Sequence, residues 1–271
     1  MYRTLLFLSF YLFFNTADAA KVDTVLTPSK SMKKMIKAVV VTPQAYDGTK
    51  EMPVVYLLHG YSGNYADWIT KVPAIQEMVD NYQFLIVCPD GGFSSWYFDS
   101  PVDTNFKYET YLAKELVPFI DQKYKTIRSP KGRAITGLSM GGHGALYLAF
   151  RHQGLFGAAG SMSGGVDIRP FPANWDLAKR LGSMSEHAKS WEEHTVTNLL
   201  YLLTPGKLAI IIDCGTSDFF YTVNEQLHRK MVDRNIEHDY ITRPGAHNWQ
   251  YWSNSITYQL LFMHHFFSKQ E

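Results

Sequence analysis

The chain has 271 residues, of which 46% are hydrophobic and 15% aromatic, so it can bury a full core. Its 26 basic and 25 acidic residues leave a formal net charge of +1, and they form no basic patch. This balance excludes nucleic-acid binding that is driven by charge, and we expect no nucleic-acid partner.

The first 20 residues have the pattern of a secretory signal peptide. Arg3 is the one positive residue, an apolar run covers residues 5–14, and Ala17-Asp-Ala19 is a small-x-small cleavage site. The apolar run is about half of the ~20 residues that a membrane-spanning helix needs. The sequence therefore predicts residues 1–19 as a signal peptide, a secreted or periplasmic protein, and no membrane span after cleavage.

The remaining residues, 20–271, are predicted to form a single α/β domain. No stretch rich in Pro, Gly or Ser divides them, and no internal repeat marks a second unit. The segment 163–205 is longer than one crossover helix requires, and it carries Trp175. We expect this segment to be a lid-like insertion that covers part of a site.

Apolar runs and helical spacing alternate along the domain. The runs that predict strands cover residues 33–41 (an early or edge strand), 53–60, 84–88, 133–137, 157–162, 208–214 and 238–242. Helical spacing covers residues 72–82, 105–124, 140–152, 222–234 and 250–267, and Pro118 is expected to kink the second helix. Strands that alternate with helices form a mostly parallel sheet. The predicted fold class is α/β, with helices on both faces of a central sheet.

The stretch Gly137-Leu-Ser139-Met-Gly141 joins a predicted strand to the helix that follows it. Small residues two before and two after a serine allow the sharp turn that pushes the serine outward, a pattern known as a nucleophile elbow. Ser139 would stand at a helix N-terminus, where the backbone N–H of Met140 is free to meet an oxyanion. The alternative is a glycine-rich turn with a solvated serine.

A serine nucleophile needs a base, and the position of each histidine selects the candidate. His247 lies in a loop after the last predicted strand and before the last helix, which is the expected place for a base. His59 closes a strand beside the presumed oxyanion loop, where holding that loop is its expected role. The histidines on predicted helices have packing or surface roles instead: His143, His264 and His265.

The base needs an acid that fixes its tautomer, and two aspartates compete for that role. Asp218 follows the strand 208–214 in the turn Gly215-Thr-Ser-Asp218, which gives the chain order Ser139, Asp218, His247. Asp213 is the rival, at the end of the strand itself. A turn or helix-cap role is the ordinary alternative for either residue.

At these positions the chain resembles the putative-esterase group of α/β-hydrolases. This group includes S-formylglutathione hydrolases, tributyrin-type esterases, feruloyl and acetylxylan esterases of carbohydrate-esterase family one, and mycolyltransferases. The matching stretches are Leu57-Leu-His-Gly-Tyr-Ser-Gly63, Pro89-Asp-Gly-Gly92, Gly137-Leu-Ser-Met-Gly-Gly142, Asp213-Cys-Gly-Thr-Ser-Asp218 and Gly245-Ala-His-Asn-Trp249.

The resemblance implies an α/β-hydrolase fold and a role for each matching position. Ser139 would be the nucleophile, Asp218 the acid and His247 the base, with an oxyanion hole from the backbone N–H groups of Tyr61 and Met140. The motif Ser94-Ser-Trp-Tyr97 lies near where family members bind substrate, so we expect substrate contacts from Trp96, Tyr97 and, in the lid, Trp175.

The resemblance and the predicted export together favour a serine carboxylesterase that acts on acetyl or feruloyl esters of plant polysaccharide. The partner would be a small-molecule or polysaccharide ester. The alternatives are a generalist short-chain esterase, an S-formylglutathione hydrolase-like thioesterase, which export disfavours, and an acyltransferase to a sugar. A non-catalytic binding protein with the same fold is the alternative from another class. The sequence leaves the oligomeric state open.

Two cysteines, Cys88 and Cys214, could in principle form a disulfide in an exported protein. In the hydrolase strand order their strands lie about four steps of ~4.8 Å apart, or roughly 19 Å. A disulfide spans at most about 7 Å between Cα atoms. We therefore predict two buried free thiols. No metal-ligand spacing or phosphate-binding loop is found, so neither metal nor cofactor is expected.

Overall fold

The computed structural model of the protein describes residues 20–270. The predicted signal peptide, residues 1–19, lies outside the described residues. Within this part of the chain, no helix combines the length and the apolar character that crossing a membrane requires.

A single sheet of eight strands runs through the molecule, in the order β1-β2-β4-β3-β5-β6-β7-β8. Two pairs of neighbouring strands are antiparallel, β1 with β2 and β2 with β4. All other neighbouring strands are parallel. The strands are β1 (Lys21–Ser29), β2 (Lys34–Thr42), β3 (Val54–Leu58), β4 (Leu85–Pro89), β5 (Arg133–Gly137), β6 (Ala158–Met162), β7 (Ala209–Gly215) and β8 (Asp239–Arg243).

Helices cover both faces of the sheet, as predicted. They are α1 (Asp67–Lys71), α2 (Ile75–Tyr82), α3 (Tyr108–Thr110), α4 (Val117–Lys123), α5 (Met140–Arg151), α6 (Leu177–Leu181), α7 (Ala188–Glu193), α8 (Tyr221–Asp233) and α9 (Trp249–Ser268). One apolar cluster packs α3 to α8 against the sheet, and a second packs α1, α2 and α9 against the other face. The strands β3 to β6 are buried at every position because both faces are covered.

Strand β1 was not predicted, and it displaces β2 from the edge of the sheet. Its nine residues are mostly exposed, and only Val25, Thr27 and Ser29 are buried. Because two of these three side chains are polar, the apolar alternation that marks a half-buried strand is missing. Pairing with β2 from Lys21 to Ser29 nevertheless extends over the whole strand.

The helix predicted over 105–124 forms as three continuous segments, in which the π-helical stretch Tyr111–Leu116 joins α3 to α4. Pro118 is the second residue of α4, and Val117 separates it from the π-helical stretch. Proline has no backbone N–H to donate to the preceding turn, so the regular helical ladder is interrupted there. The helix continues through Pro118, and the irregularity next to it is the π-helical stretch that ends at Leu116.

Cys88 and Cys214 are free and buried, which confirms the prediction for the thiols. Cys88 lies on β4 and Cys214 on β7, and β3, β5 and β6 separate these strands. The four-step separation inferred from the sequence is therefore the one observed.

The sheet places the three candidate site residues just beyond the carboxyl ends of its parallel strands. Ser139 follows β5, Asp218 follows β7 and His247 follows β8, and these strands are parallel. The carboxyl ends of parallel strands lie on the same side of the molecule, so three chain segments that are far apart in sequence emerge side by side.

Candidate active site

Ser139 occupies a strained turn between β5 and α5. Its backbone has φ 54° and ψ −117°, a conformation that few residues with a side chain adopt. The glycines on either side are required by close packing: a Cβ on Gly137 would lie 2.7 Å from the carbonyl carbon of Gly141, and one on Gly141 would lie 2.5 Å from the Leu58 oxygen. The predicted sharp elbow is therefore present.

The side chains of Ser139, His247 and Asp218 form a hydrogen-bonded chain. Nε2 of His247 lies 2.9 Å from Ser139 Oγ, and Nδ1 lies 2.8 Å from Asp218 Oδ2. Because an ionised carboxylate only accepts, Nδ1 carries the proton and Nε2 is left to accept from the serine hydroxyl. This is the tautomer in which a histidine can take a proton from serine.

Asp218 is held in place by its own backbone turn. Its side chain has no exposed surface, and Oδ1 accepts a hydrogen bond from the Phe220 amide at 2.8 Å. The Asp218 amide donates to the Gly215 carbonyl at 3.0 Å, which closes the turn after β7. The second oxygen is thereby directed at His247.

Asp213, the rival acid, points into a different network. Its carboxylate accepts from Arg243 at 2.6 Å and from the Ser255 hydroxyl at 3.0 Å, and it also accepts from the Tyr251 hydroxyl. Burial raises the pKa of Asp213, against the opposing effect of these donors. The structure brings Asp218, and not Asp213, to His247.

The two residues whose amides are expected to form an oxyanion hole lie near Ser139: Met140 follows it in the chain, and Tyr61 lines the same cavity. Among residues 20–270, the backbone N–H groups of Tyr61 and Met140 donate to no protein acceptor. A Cβ on Gly60 would lie 3.4 Å from the Ser139 Cβ, which shows how closely the loop after β3 approaches the serine. Met140 is the first residue of α5, where an unpaired amide is expected.

A cavity of about 350 Å³ opens onto Ser139 and His247. Its walls are largely aromatic, and they include the rings of Tyr61, Trp175, Phe219, Trp249 and Trp252. Larger cavities of about 540, 650 and 590 Å³ lie elsewhere, but none of these is lined by Ser139 or His247. The cavity at the serine is therefore the one in which chemistry at Ser139 can take place.

Phe219 forms the wall closest to the histidine. Its ring lies 4.2 Å from the His247 ring, centroid to centroid, and stacks on Trp175 at 5.5 Å with an interplanar angle of 19°. Phe219 is 50% exposed to solvent. An apolar ring that is already stacked and still half exposed offers its remaining surface to an apolar ligand.

Of the three predicted substrate contacts, the structure places only Trp175 at the cavity wall. Trp96 and Tyr97 are 1% and 0% exposed and lie behind the wall. Trp96 Nε1 donates to the Trp175 carbonyl at 3.1 Å, and the Tyr97 hydroxyl donates to the His59 carbonyl at 3.0 Å. The prediction that Trp96 and Tyr97 contact the substrate is therefore corrected. Both rings pack into the core, so they support the cavity wall instead of forming it.

Several wall residues were not identified from the sequence, although a signal for them existed. Phe219 directly follows Asp218, and Trp249 and Trp252 follow His247 by two and five residues. Aromatic residues this close to a candidate site residue share its loop or the first turn of the next helix. Lys71 and Asp67 also line the cavity, from α1, and form an ion pair at 3.4 Å.

Comparison with known proteins identifies related sequences over nearly the whole chain. A family model described as "Putative esterase" matches residues 29–263. An acetyl esterase of Caldicellulosiruptor saccharolyticus is 25% identical over 250 residues, covering 84% of this chain and 92% of that protein. An esterase of Mycobacterium tuberculosis is 37% identical over 121 residues, which cover 43% of this chain and 26% of that esterase. The chain thus spans about a quarter of the length of this last relative.

A solved ferulic acid esterase has a similar structure. It superposes with a TM-score of 0.79 at 28% sequence identity, covering 92% of this chain and 98% of that protein. This similarity confirms the predicted fold class, a mostly parallel sheet with helices on both faces arranged as in α/β-hydrolases.

Proposed function

The chain belongs to the putative esterase family, and we propose that it is a serine carboxylesterase that forms an acyl-enzyme on Ser139. The observation that carries the proposal is the hydrogen-bonded chain from Ser139 through His247 to Asp218, with distances of 2.9 and 2.8 Å. Such a chain at a strained strand-to-helix turn has the geometry of an activated nucleophile.

In the first half-reaction, Ser139 Oγ attacks the ester carbonyl carbon while His247 Nε2 takes the hydroxyl proton. Asp218 stabilises the imidazolium that forms. The carbonyl oxygen becomes an oxyanion and accepts from the amides of Tyr61 and Met140, which have no other partner among the described residues. His247 then gives its proton to the leaving alcohol oxygen, and the C–O bond breaks to leave the acyl group on Ser139.

In the second half-reaction, water replaces the alcohol. His247 takes a proton from water, the hydroxide attacks the acyl carbon, and the same amides hold the oxyanion again. Collapse of this intermediate returns the proton from His247 to Ser139 and releases the carboxylic acid. Apart from the ester and the water, the chain's own residues supply every group that these steps use.

The substrate class we propose is an acetyl or feruloyl ester on plant polysaccharide. Two observations support it: the cavity walls are aromatic, which suits a phenolic ring or the face of a sugar, and the similar proteins named above are an acetyl esterase and a ferulic acid esterase. A polymeric substrate also requires an enzyme outside the cell, and the signal-peptide pattern of residues 1–19 supports that location.

A substrate panel on the purified chain tests the proposal. We expect turnover of methyl ferulate or acetylated xylan with kcat/KM at least about 10-fold above that of a formyl thioester, and none by Ser139→Ala. Absence of turnover of every ester would favour a non-catalytic binding protein. A dominant formyl thioesterase activity would contradict the polysaccharide substrate, and acylated sugar formed in place of free acid would indicate a transferase.

A further inference from the structure

Tyr97 is a fully buried residue that contacts both sides of the proposed oxyanion hole. Its hydroxyl donates to the His59 carbonyl at 3.0 Å, two residues before Tyr61. Its ring packs on Gly91 and on Gly144 of α5, so closely that a Cβ would lie 2.3 Å and 2.5 Å from ring atoms. The residue therefore connects the loop that carries the Tyr61 amide with the helix that begins at Met140.

The backbone of the same motif is strained. Trp96 and Tyr97 both have positive φ, 54° and 60°, a region that residues with a side chain rarely occupy. The strain is held by specific contacts: Trp96 Nε1 donates to the Trp175 carbonyl at 3.1 Å, and the Tyr97 amide donates to Ser95 Oγ at 3.0 Å. In this conformation the Tyr97 ring is fully buried.

His59 is fixed on the other side of this contact. Its Nδ1 lies 2.7 Å from the Gly60 carbonyl, and its Nε2 lies 2.7 Å from the Gly91 amide. A carbonyl only accepts and an amide only donates, so His59 is neutral with its proton on Nδ1. Burial lowers the pKa of His59, which agrees with the neutral form. The side chain of His59 is thus hydrogen-bonded to the backbone of Gly60 and Gly91, and its carbonyl accepts from the Tyr97 hydroxyl.

The loop beyond His59 has two further backbone contacts. The Gly63 amide donates to the Gly60 carbonyl at 3.1 Å, and the Ser62 amide donates to the Phe93 carbonyl at 2.8 Å. The Tyr61 amide lies between these contacts and has no partner among residues 20–270. The direction of the Tyr61 N–H is therefore set by the contacts of the residues around it. On the N-terminal side, that contact is the hydrogen bond from the Tyr97 hydroxyl to the His59 carbonyl.

We propose that Tyr97 is a positioning residue for the Tyr61 amide: its hydroxyl holds the His59 carbonyl, and so keeps the loop where the oxyanion forms. The inference rests on the proposed esterase function, but Tyr97 itself touches no reacting atom. Electrostatic stabilisation of an oxyanion depends on donors that are in place before the reaction. Loss of the Tyr97 hydroxyl should then weaken the transition state more than substrate binding.

Tyr97→Phe tests this, because it removes the hydroxyl and keeps the ring. We expect kcat to fall about 10-fold with KM within about twofold, less than the 10²–10³-fold cost of losing a whole oxyanion donor. A trifluoromethyl ketone, which adds to the serine and places an oxyanion in the hole, should lose affinity by the same factor as kcat. An unchanged kcat, or a rise in KM alone, would overturn the assignment.

Tyr111→Phe is the matched control. Tyr111 is also fully buried, and its hydroxyl is 2.5 Å from Oγ1 of Thr27, which lies on the edge strand β1. We expect this variant to lose thermal stability like Tyr97→Phe and to keep its kcat and its affinity for the ketone. Equal losses of kcat in the two variants would show that Tyr97 acts only through general stability, and would refute the positioning role.

A double-mutant cycle with His59→Asn provides a second measurement. Asparagine can replace Nδ1 of His59 but does not reach the Gly91 amide, so this variant releases the loop at another contact. Because both residues hold the same loop, the combined loss in kcat should be smaller than the product of the single losses. Independent, multiplicative losses would overturn the inference. Full activity of Ser139→Ala would instead refute the proposed function, whatever the result for Tyr97.

Discussion

Nε2 of His247 lies 2.9 Å from Oγ of Ser139, although 108 residues separate the two along the chain. The contact exists because β5 and β8 are parallel strands of one sheet, so the loops that follow them emerge at the same edge. Asp218 reaches the other nitrogen of His247 from the loop after β7, the strand next to β8. Each of the three side chains therefore depends on sheet topology for its partner.

The first prediction concerns the serine and the histidine. Ser139→Ala and His247→Ala should each lower kcat for p-nitrophenyl acetate by on the order of 10⁴-fold, because these groups act as a unit. The double variant should be little worse than either single one. Circular dichroism and thermal melting should show an intact fold. Near-normal turnover by Ser139→Ala would show that the nucleophile lies elsewhere.

That these residues come together could be predicted from the sequence, since the placement of each depends on features that are local in the chain. Ser139 is marked by the glycines at 137 and 141, and the structure shows that a Cβ at either position would clash with backbone. His247 and Asp218 were located by their place after a strand, which requires only that the strands be recognised. Parallel strand order then predicts which loops meet.

The roles of Trp96 and Tyr97 could not be predicted in the same way. Whether an aromatic ring faces a cavity or the core depends on two φ angles, 54° and 60°, that the residue types disfavour. Strand β1 was missed for a related reason. Its buried positions include Thr27, whose hydroxyl bonds the Ile36 carbonyl and lies beside the Tyr111 hydroxyl, contacts that only the folded chain provides.

The second prediction concerns the aromatic wall. Phe219→Ala should lower kcat/KM for methyl ferulate by about 3- to 10-fold, because one aromatic contact contributes about 0.5–1.5 kcal/mol beyond the area it buries. The kcat/KM for ethyl acetate should change less, since its acetyl group has no ring to pack on Phe219. Tyr201→Ala is a suitable control, because Tyr201 is 74% exposed and lines other cavities. Equal losses on both esters would indicate that Phe219 acts by shielding His247.

The third prediction concerns the two thiols. Cys88 and Cys214 are buried, and burial raises the pKa of both, so neither should react with a thiol reagent in the native protein. Unfolding in denaturant without reductant should expose two reactive groups. Thiol titration of residues 20–271 in both states measures this directly. No reactive group after unfolding would mean that the cysteines had become oxidised.

The fourth prediction concerns stability in acid. Glu109 is partly buried, which opposes ionisation, but hydrogen bonds from His152 and Arg151 outweigh burial and lower its pKa from 4.5 to about 2. A depressed carboxyl pKa stabilises the folded state above pH 4.5, and this contribution is lost as the pH falls from about 4.5 towards 2. Glu109→Gln should therefore cost up to about 3 kcal/mol at pH 6 and much less at pH 3.

Urea unfolding at the two pH values measures this difference. Glu51→Gln is the control, because Glu51 forms an exposed ion pair with Lys125 at 3.6 Å. Exposed pairs contribute about 0–1 kcal/mol, so this variant should follow the wild type at both pH values. A loss for Glu109→Gln that is as large at pH 3 as at pH 6 would show that packing, and not ionisation, explains its effect.

The last prediction separates the two aspartates, Asp218 and Asp213. Asp218→Asn should leave stability nearly unchanged and lower kcat by up to ~10⁴, because an amide at this position favours the wrong tautomer of His247. Asp213→Asn should act mainly on stability, by about 1–3 kcal/mol, since Asp213 accepts from Arg243, Ser255 and Tyr251. Arg243 lies four residues before His247, so a modest loss of kcat through the loop is compatible with this assignment. Reversed phenotypes, with kcat lost in Asp213→Asn and only stability lost in Asp218→Asn, would show that the 2.8 Å contact between His247 and Asp218 is not the one that catalysis uses.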